Sequence, residues 1–177
     1  CGNVLAKNEV VFITRINSEK ASDLLDMYHD ARFYEEAKCL IIGKNSNKIN
    51  TNKKVAIISG GSSDLGVTLE AKLALEIYGV NCQSFLDVGV AGLHRLISQL
   101  EEINKYDVLL VCAGMEGALA TVVGGLLPQP IIAVPVSVGY GVSKNGETAL
   151  NSMLASCSPG ISVMNIDNGY GAAMAAL

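Results

Sequence analysis

The stretch VAIISGGSSDLGVTLEAKLALEIYG (residues 55–79) passes from an apolar run through two glycines, two serines and Asp64 into a helix-like pattern. Apolar residues on successive positions, rather than every second one, fit a strand covered on both faces. Glycines let a ligand approach the backbone, and hydroxyls with free N–H groups at a helix start suit an anion. A bound phosphate is therefore the first expectation for Gly60-Gly61-Ser62-Ser63. The spacing is not GxGxxG and no Walker lysine follows, so this is not a standard NAD or ATP loop. Ser63 reads alternatively as a plain helix N-cap. Asp64 repels an anion but accepts well from a ribose or helps move a proton.

Outward from this unit, strand-like runs recur at 10–16, 39–43, 83–89, 107–114, 130–136 and 161–166. Helix-like segments at 18–30, 63–79, 93–105 and 115–127 lie between them, with Ser18 as a further candidate cap. The alternation reads as βαβ units. It predicts an α/β fold: a three-layer, doubly wound parallel sheet with a short N-terminal α/β piece. The polar, basic run KNSNKINTNKK (44–54) reads as a linker between residues 1–43 and the main domain, 55–177. In open parallel sheets ligands sit beyond the carboxyl ends of the strands, so the loops there carry the chemistry.

The 177 residues suffice for one well-buried domain, and a net charge of −4 with scattered basic residues argues against nucleic acid or anionic lipid as partners. Five cysteines without CxxC spacing, three of them in or beside apolar runs, suit a reducing cytoplasm. No uninterrupted apolar segment has membrane-spanning length, and no signal peptide is evident. The chain opens at Cys1 without an initiator Met, as a fragment would.

Four further loops hold candidates. In DVGVAGLHRL (87–96), His94 and Arg95 start a helix behind Gly89; His94 reads as a proton carrier or ligand clamp, or as a packed imidazole. With His29 the only other histidine, a His-rich metal site is not expected. Between Val108 and Ser143 the only charged side chain is Glu116, in CAGMEGALATVVGG. Burial without a partner would raise its pKa and suit it to acid–base work, whereas a first-turn helix position would hold it ionised. The glycine-rich VPVSVGYGVSKNGE (134–147) carries Ser137, Tyr140 and Lys144 and reads as a lid, substrate loop or subunit contact. In SCSPGISVMNIDNGYGAA (156–173), Cys157 stands outside any apolar strand, near a helix end without a basic neighbour, and nothing in the sequence activates it.

Taken together, SGGSSDL, DVGVAGLHRL, AGMEGAL, VPVSVGYG and NIDNGYGA resemble the LarB family, the pyridinium-3,5-biscarboxylic acid mononucleotide synthases of nickel-pincer cofactor biosynthesis. The main domain is also similar to the aminoimidazole ribonucleotide mutase PurE, whose GSxSD turn and His-Arg helix start are echoed by GGSSD and His94-Arg95. The resemblance implies a flavodoxin-like, PurE-like core assembled as a homo-octamer. It implies carboxylation of nicotinic acid adenine dinucleotide (NaAD) by carbon dioxide or bicarbonate, with phosphoanhydride cleavage releasing AMP.

It further implies that Cys157 adds covalently to the pyridinium ring and that Glu116 handles the proton, with Asp64 and His94 as further acid–base candidates. Substrate-binding roles follow for Ser59, Gly60, Gly61, Ser62, Ser63, Gly89, Arg95, Gly114, Met115, Gly117, Ser137, Tyr140, Lys144, Asp167 and Asn168. No tightly bound cofactor is expected; magnesium on the phosphoanhydride is compatible with the chemistry, and no metal ligands are assigned. Two alternatives remain: a PurE-like aminoimidazole ribonucleotide carboxylase or mutase, in which Cys157 has no obvious task, and a non-catalytic nucleotide-binding module.

Overall fold

The computed structural model describes residue 5, residues 10–44 and residues 52–177. Its main sheet has five parallel strands, β4 (Lys54–Ser59), β5 (Asn81–Phe85), β6 (Val108–Ala113), β7 (Ile131–Pro135) and β8 (Ile161–Val163), in the order β5-β4-β6-β7-β8. Helices α2 (Leu65–Ile77), α3 (Leu93–Ile103), α4 (Ala118–Leu126), α5 (Glu147–Leu154) and α6 (Gly169–Ala175) complete it. The expected three-layer, doubly wound, flavodoxin-like arrangement is present. The order reverses between β4 and β6, which places a crevice at their carboxyl ends.

Strand alternation explains the continuous apolar runs. In β4, Ala56 and Ile58 face a core shared with Leu96 and Ile103 of α3, Leu119 and Val123 of α4, and Met153 of α5. Val55 and Ile57 face the opposite core, with Ala74 and Leu75 of α2 and Ala172, Ala173 and Ala176 in and after α6. Ile57 and Ile58 are both fully buried. Each such side chain contributes on the order of 1.5–3 kcal/mol relative to exposure.

The amino-terminal piece departs from the βαβ expectation. Strands β1 (Val10–Ile13), β2 (Arg32–Tyr34) and β3 (Cys39–Gly43) form an antiparallel sheet in the order β1-β3-β2, with α1 (Ser18–Met27) between β1 and β2. Leu40 and Ile42 pack with Val11 and Ala21 on the α1 side, whereas Cys39 and Ile41 pack with Leu73 of α2 on the other. An apolar run buried on both faces is thus compatible with antiparallel pairing when helices cover both sides. The cap of α1 is Asn17, whose side chain accepts the Lys20 N–H at 3.0 Å; Ser18 is already helical. Of the expected linker 44–54, residues 45–51 lie outside the described residues, and Lys54 opens β4.

Among the described residues no helix is long and apolar enough to cross a membrane. Helix α6 docks on α2 through Gly169, where an added Cβ would stand 2.4 Å from the Val67 carbonyl oxygen and 3.1 Å from the Ala71 nitrogen. Backbone cannot yield as a flexible side chain would. Gly169→Ala is therefore expected to lower unfolding stability by about 1–3 kcal/mol; an unchanged denaturation midpoint would show that the two helices are not held this closely.

Candidate functional site

The crevice at the ends of β4 and β6 is a cleft of about 470 Å³. Three loops build it. The first is the turn 60–64, in which Ser62–Asp64 form a short 3-10 turn running directly into α2. The second follows β6, where Met115 and Gly117 adopt left-handed φ of 54° and 67° on either side of Glu116 before α4 begins. The third is 138–140 after β7, and the turn at Gly89-Val90-Ala91 closes the side. Much of the wall is apolar, from Val90, Ala113, Leu119 and Val138.

Asp64 lies at the centre of this arrangement and is 4 % exposed. One carboxylate oxygen accepts the Gly61 N–H at 2.9 Å and the other the Gly114 N–H at 3.2 Å, so a single side chain joins the loops after β4 and β6. Thr68 donates to its main-chain oxygen at 2.9 Å. Burial pushes the Asp64 carboxyl above its ordinary value; the N–H groups of Gly61, Gly114 and Gly60 pull it back, and the Asp167 charge adds a smaller upward push. Desolvation prevails. The result is an acid in the cleft that keeps a higher proton affinity than a solvated carboxylate.

The glycines of these loops serve loop-to-loop contact. A Cβ on Gly89 would stand 2.4 Å from the Gly60 carbonyl oxygen, and one on Gly114 2.3 Å from that of Val138. Gly61 is more open, since its Cβ position meets nothing nearer than 3.8 Å.

Of the residues singled out in the sequence, Gly60, Gly61, Ser63, Asp64, Gly89, Gly114, Met115, Glu116 and Tyr140 line the cleft. Glu116 is exposed, and the buried carboxylate of the cleft is instead Asp64, partnered by backbone N–H groups. Ser63 makes no side-chain cap bond at the start of α2. Ser62 lies beside the cleft in the same turn, and Ser59 is buried in β4 with its hydroxyl unpartnered among the described residues. Gly117 is buried behind the rim, where an added Cβ would meet the Ala149 backbone at 3.0 Å.

The remaining candidates point elsewhere. His94 is exposed in the first turn of α3, and Arg95 turns back to Asp87, donating to its carbonyl oxygen at 2.6 Å and facing its carboxylate at 3.3 Å. Lys144 lies exposed in the turn Gly141–Gly146 that leads into α5, so only the first part of the expected long loop reaches the cleft. Asp167 and Asn168 follow β8; Asp167 accepts the Ser137 N–H at 2.8 Å, and Asn168 caps α6 through the Gly171 N–H at 2.9 Å. Cys157 is exposed in the loop leading into the amino end of β8 and does not line the cleft. The buried thiols of Cys39 and Cys112 are pushed up to about 12 and that of Cys82 to about 11, first of all by burial, which suits packing and not nucleophilic work. Sequence reasoning misses the cleft-lining Val90, Ala91 and Val138, whose side chains carry no chemical signal.

Comparison with known proteins gives one family match, AIR carboxylase, over residues 54–177. An uncharacterized protein of Methanocaldococcus jannaschii is 42% identical over 176 residues, covering 96% of this chain and 68% of the relative. Crystal structures of Treponema denticola PurE and of a singly substituted Treponema denticola PurE2 are similar at 23% and 24% identity, with TM-scores of 0.59 and 0.57, each covering 71% of this chain and 78% of the other. The latter two agree with the fold.

These findings correct the resemblance to the nickel-pincer cofactor synthases: the matched family is AIR carboxylase. The NaAD carboxylase and hydrolase activity, its AMP product, the covalent cysteine step and NaAD as substrate are withdrawn with it. Magnesium is withdrawn too, since among the described residues no group of three or more His, Cys, Asp or Glu side chains could hold a metal ion.

Because the folded-state pKa of Asp64 is raised, its stabilising contribution is fully present below the ordinary carboxylate range and is lost as pH rises through the folded value. Against the non-titrating Asp64→Asn, the stability advantage of the wild type should therefore be largest in acid and shrink towards neutrality. Denaturation midpoints of both proteins across pH measure this; an advantage that grows with pH would mean that the backbone donors outweigh desolvation.

Proposed function

Because this chain belongs to the AIR carboxylase family, we propose that it moves a carboxyl group onto or off the ring of an aminoimidazole ribonucleotide in the cleft beyond β4 and β6. The observation that carries this reading is Asp64, a buried carboxyl with raised proton affinity at the centre of the cleft. An amino-substituted imidazole is electron-rich, and its ring carbon can form a bond to carbon dioxide as an enamine does. No prior activation by a thiol is needed. The proton on that carbon must then leave to restore aromaticity, and Asp64 takes it; in the reverse direction Asp64 returns it as the carboxyl group departs.

The other parts of the cleft have matching tasks. The Ser62-Ser63 turn at the start of α2 receives the phosphate, because helix-start N–H groups and the dipole favour an anion. Val90, Ala113, Leu119 and Val138 offer the flat ring an apolar wall, and Glu116 and Tyr140 stand at the rim, within the lining that the ribose would meet. His94 and Arg95 have no task within one copy of the chain. The homo-octamer belongs to the same proposal, supported by the exposed apolar side chains of Tyr140 (80%) and Val142 (81%) beside the cleft. So does a cytoplasmic setting, supported by the unpaired Cys39, Cys82, Cys112 and Cys157.

Incubation of the protein with aminoimidazole ribonucleotide and bicarbonate should give the carboxylated ribonucleotide. Asp64→Asn should lower turnover by about 10²–10⁴-fold, the usual range for a general acid–base group, with nucleotide binding largely kept. The reading is sunk by wild-type protein that forms no carboxylated product, or by a variant that turns over undiminished.

A further inference from the structure

The cleft wall formed by residues 138–140 has no regular structure of its own, so something must hold it. Its entry is clamped by one residue. Asp167 donates its N–H to the Pro135 carbonyl oxygen at the end of β7, at 2.9 Å, and its carboxylate accepts the Ser137 N–H at 2.8 Å. Two bonds from one residue thus fix the direction in which the chain leaves the sheet. Asp167 itself sits in the left-handed region, at φ 55°, a conformation that a side chain tolerates only when its surroundings enforce it.

Beyond the clamp, the Val138 carbonyl oxygen accepts the Met115 N–H at 3.2 Å, next to Gly114, whose own N–H holds the Asp64 carboxylate. The clamp therefore leads by consecutive hydrogen-bonded groups to the acid of the cleft. On the outside, Asp167 meets the amino-terminal unit: the Arg15 guanidinium, in the segment after β1, donates to the Asp167 carbonyl oxygen at 3.4 Å. Burial raises the proton affinity of nearby Glu70, opposed by the Tyr170 N–H that its carboxylate accepts at 3.0 Å and, less, by the Arg15 charge.

We propose that Asp167 is a positioning residue that fixes the 137–140 wall of the cleft, and that Arg15 couples the amino-terminal sheet to this clamp. This deepens the assignment of the cleft as the carboxylation site and rests on it for its functional consequence. The resemblance implies substrate binding for Asp167; the clamp gives it a task through Ser137.

The test separates the clamp from the activity. Amide hydrogen exchange on the full chain is compared among wild type, Asp167→Ala, Asp167→Asn and Arg15→Ala, with no substrate present. Loss of one such hydrogen bond should speed exchange in 137–140 by about tenfold in Asp167→Ala. Asp167→Asn keeps an acceptor oxygen and should retain protection, and Arg15→Ala should give a smaller acceleration in the same segment with β4 and β6 unchanged. In the carboxylation assay Arg15→Ala should raise KM for aminoimidazole ribonucleotide several-fold with little change in kcat.

Unchanged exchange at 137–140 in Asp167→Ala, or acceleration spread evenly through the main sheet, overturns the clamp. Should Asp167→Ala not fold, Asp167→Asn and Arg15→Ala decide: lost protection in the former, or an unmoved segment in the latter, overturns it. A wild type inactive on aminoimidazole ribonucleotide would defeat the assigned function while leaving the exchange result readable.

Discussion

One carboxylate organises the carboxyl edge of the main sheet. The loops after β4 and β6 leave neighbouring strands at the point where the winding reverses, and each would otherwise present unpaired N–H groups to the cleft. Asp64 accepts one from each loop. The same two bonds close the floor of the cleft and hold the acid in place, so the shape of the cleft and the position of its buried acid depend on one residue. Truncation of the whole side chain would leave the Gly61 and Gly114 N–H groups without an acceptor and free both loops, whereas an amide in its place keeps one acceptor oxygen.

That dual role explains the close interlocking of the surrounding glycines. Gly89 brings the turn after β5 against the Gly60 carbonyl, and Gly114 brings the β6 loop against that of Val138. A side chain at either position would force the loops apart. In the sequence such glycines look like invitations to a ligand. In the fold most of their freedom is used by neighbouring backbone, and the more open ground is at Gly61 and along the apolar wall.

Legibility followed the physics of burial. The parallel sheet was readable because strands covered on both faces are apolar at every position, as in Val55–Ile58 and Val108–Ala113, and their ends marked the loops that line the cleft. The same signal misread Cys39–Ile42, because a helix on each face gives an antiparallel strand the same composition. Strand β2 has three residues, partly exposed, and left no pattern at all. For the acids, local composition misled: Glu116 stands alone among apolar neighbours in sequence yet points to solvent, whereas Asp64 stands among polar ones and is buried by loops distant in sequence. The family could not be decided by the shared motifs, because a turn, a helix start and a glycine-rich loop describe a common cleft more than a particular substrate.

The electrostatics of the cleft follow from what faces Asp64. Its close partners are main-chain dipoles, and the other nearby charge acting on it is that of Asp167, of like sign. An opposite full charge would hold a carboxylate ionised far below neutrality and unfit it to take and return a proton; dipoles orient it while leaving desolvation to set its affinity. The Arg15 guanidinium instead donates to the Asp167 carbonyl oxygen and acts on Glu70. The arrangement costs stability at neutral pH, since Asp64 and Glu70 both resist ionisation in the folded chain. A fold that accepts that cost at the floor of its apolar-walled cleft has kept there a group able to exchange a proton, which a salt bridge at the same position would have prevented.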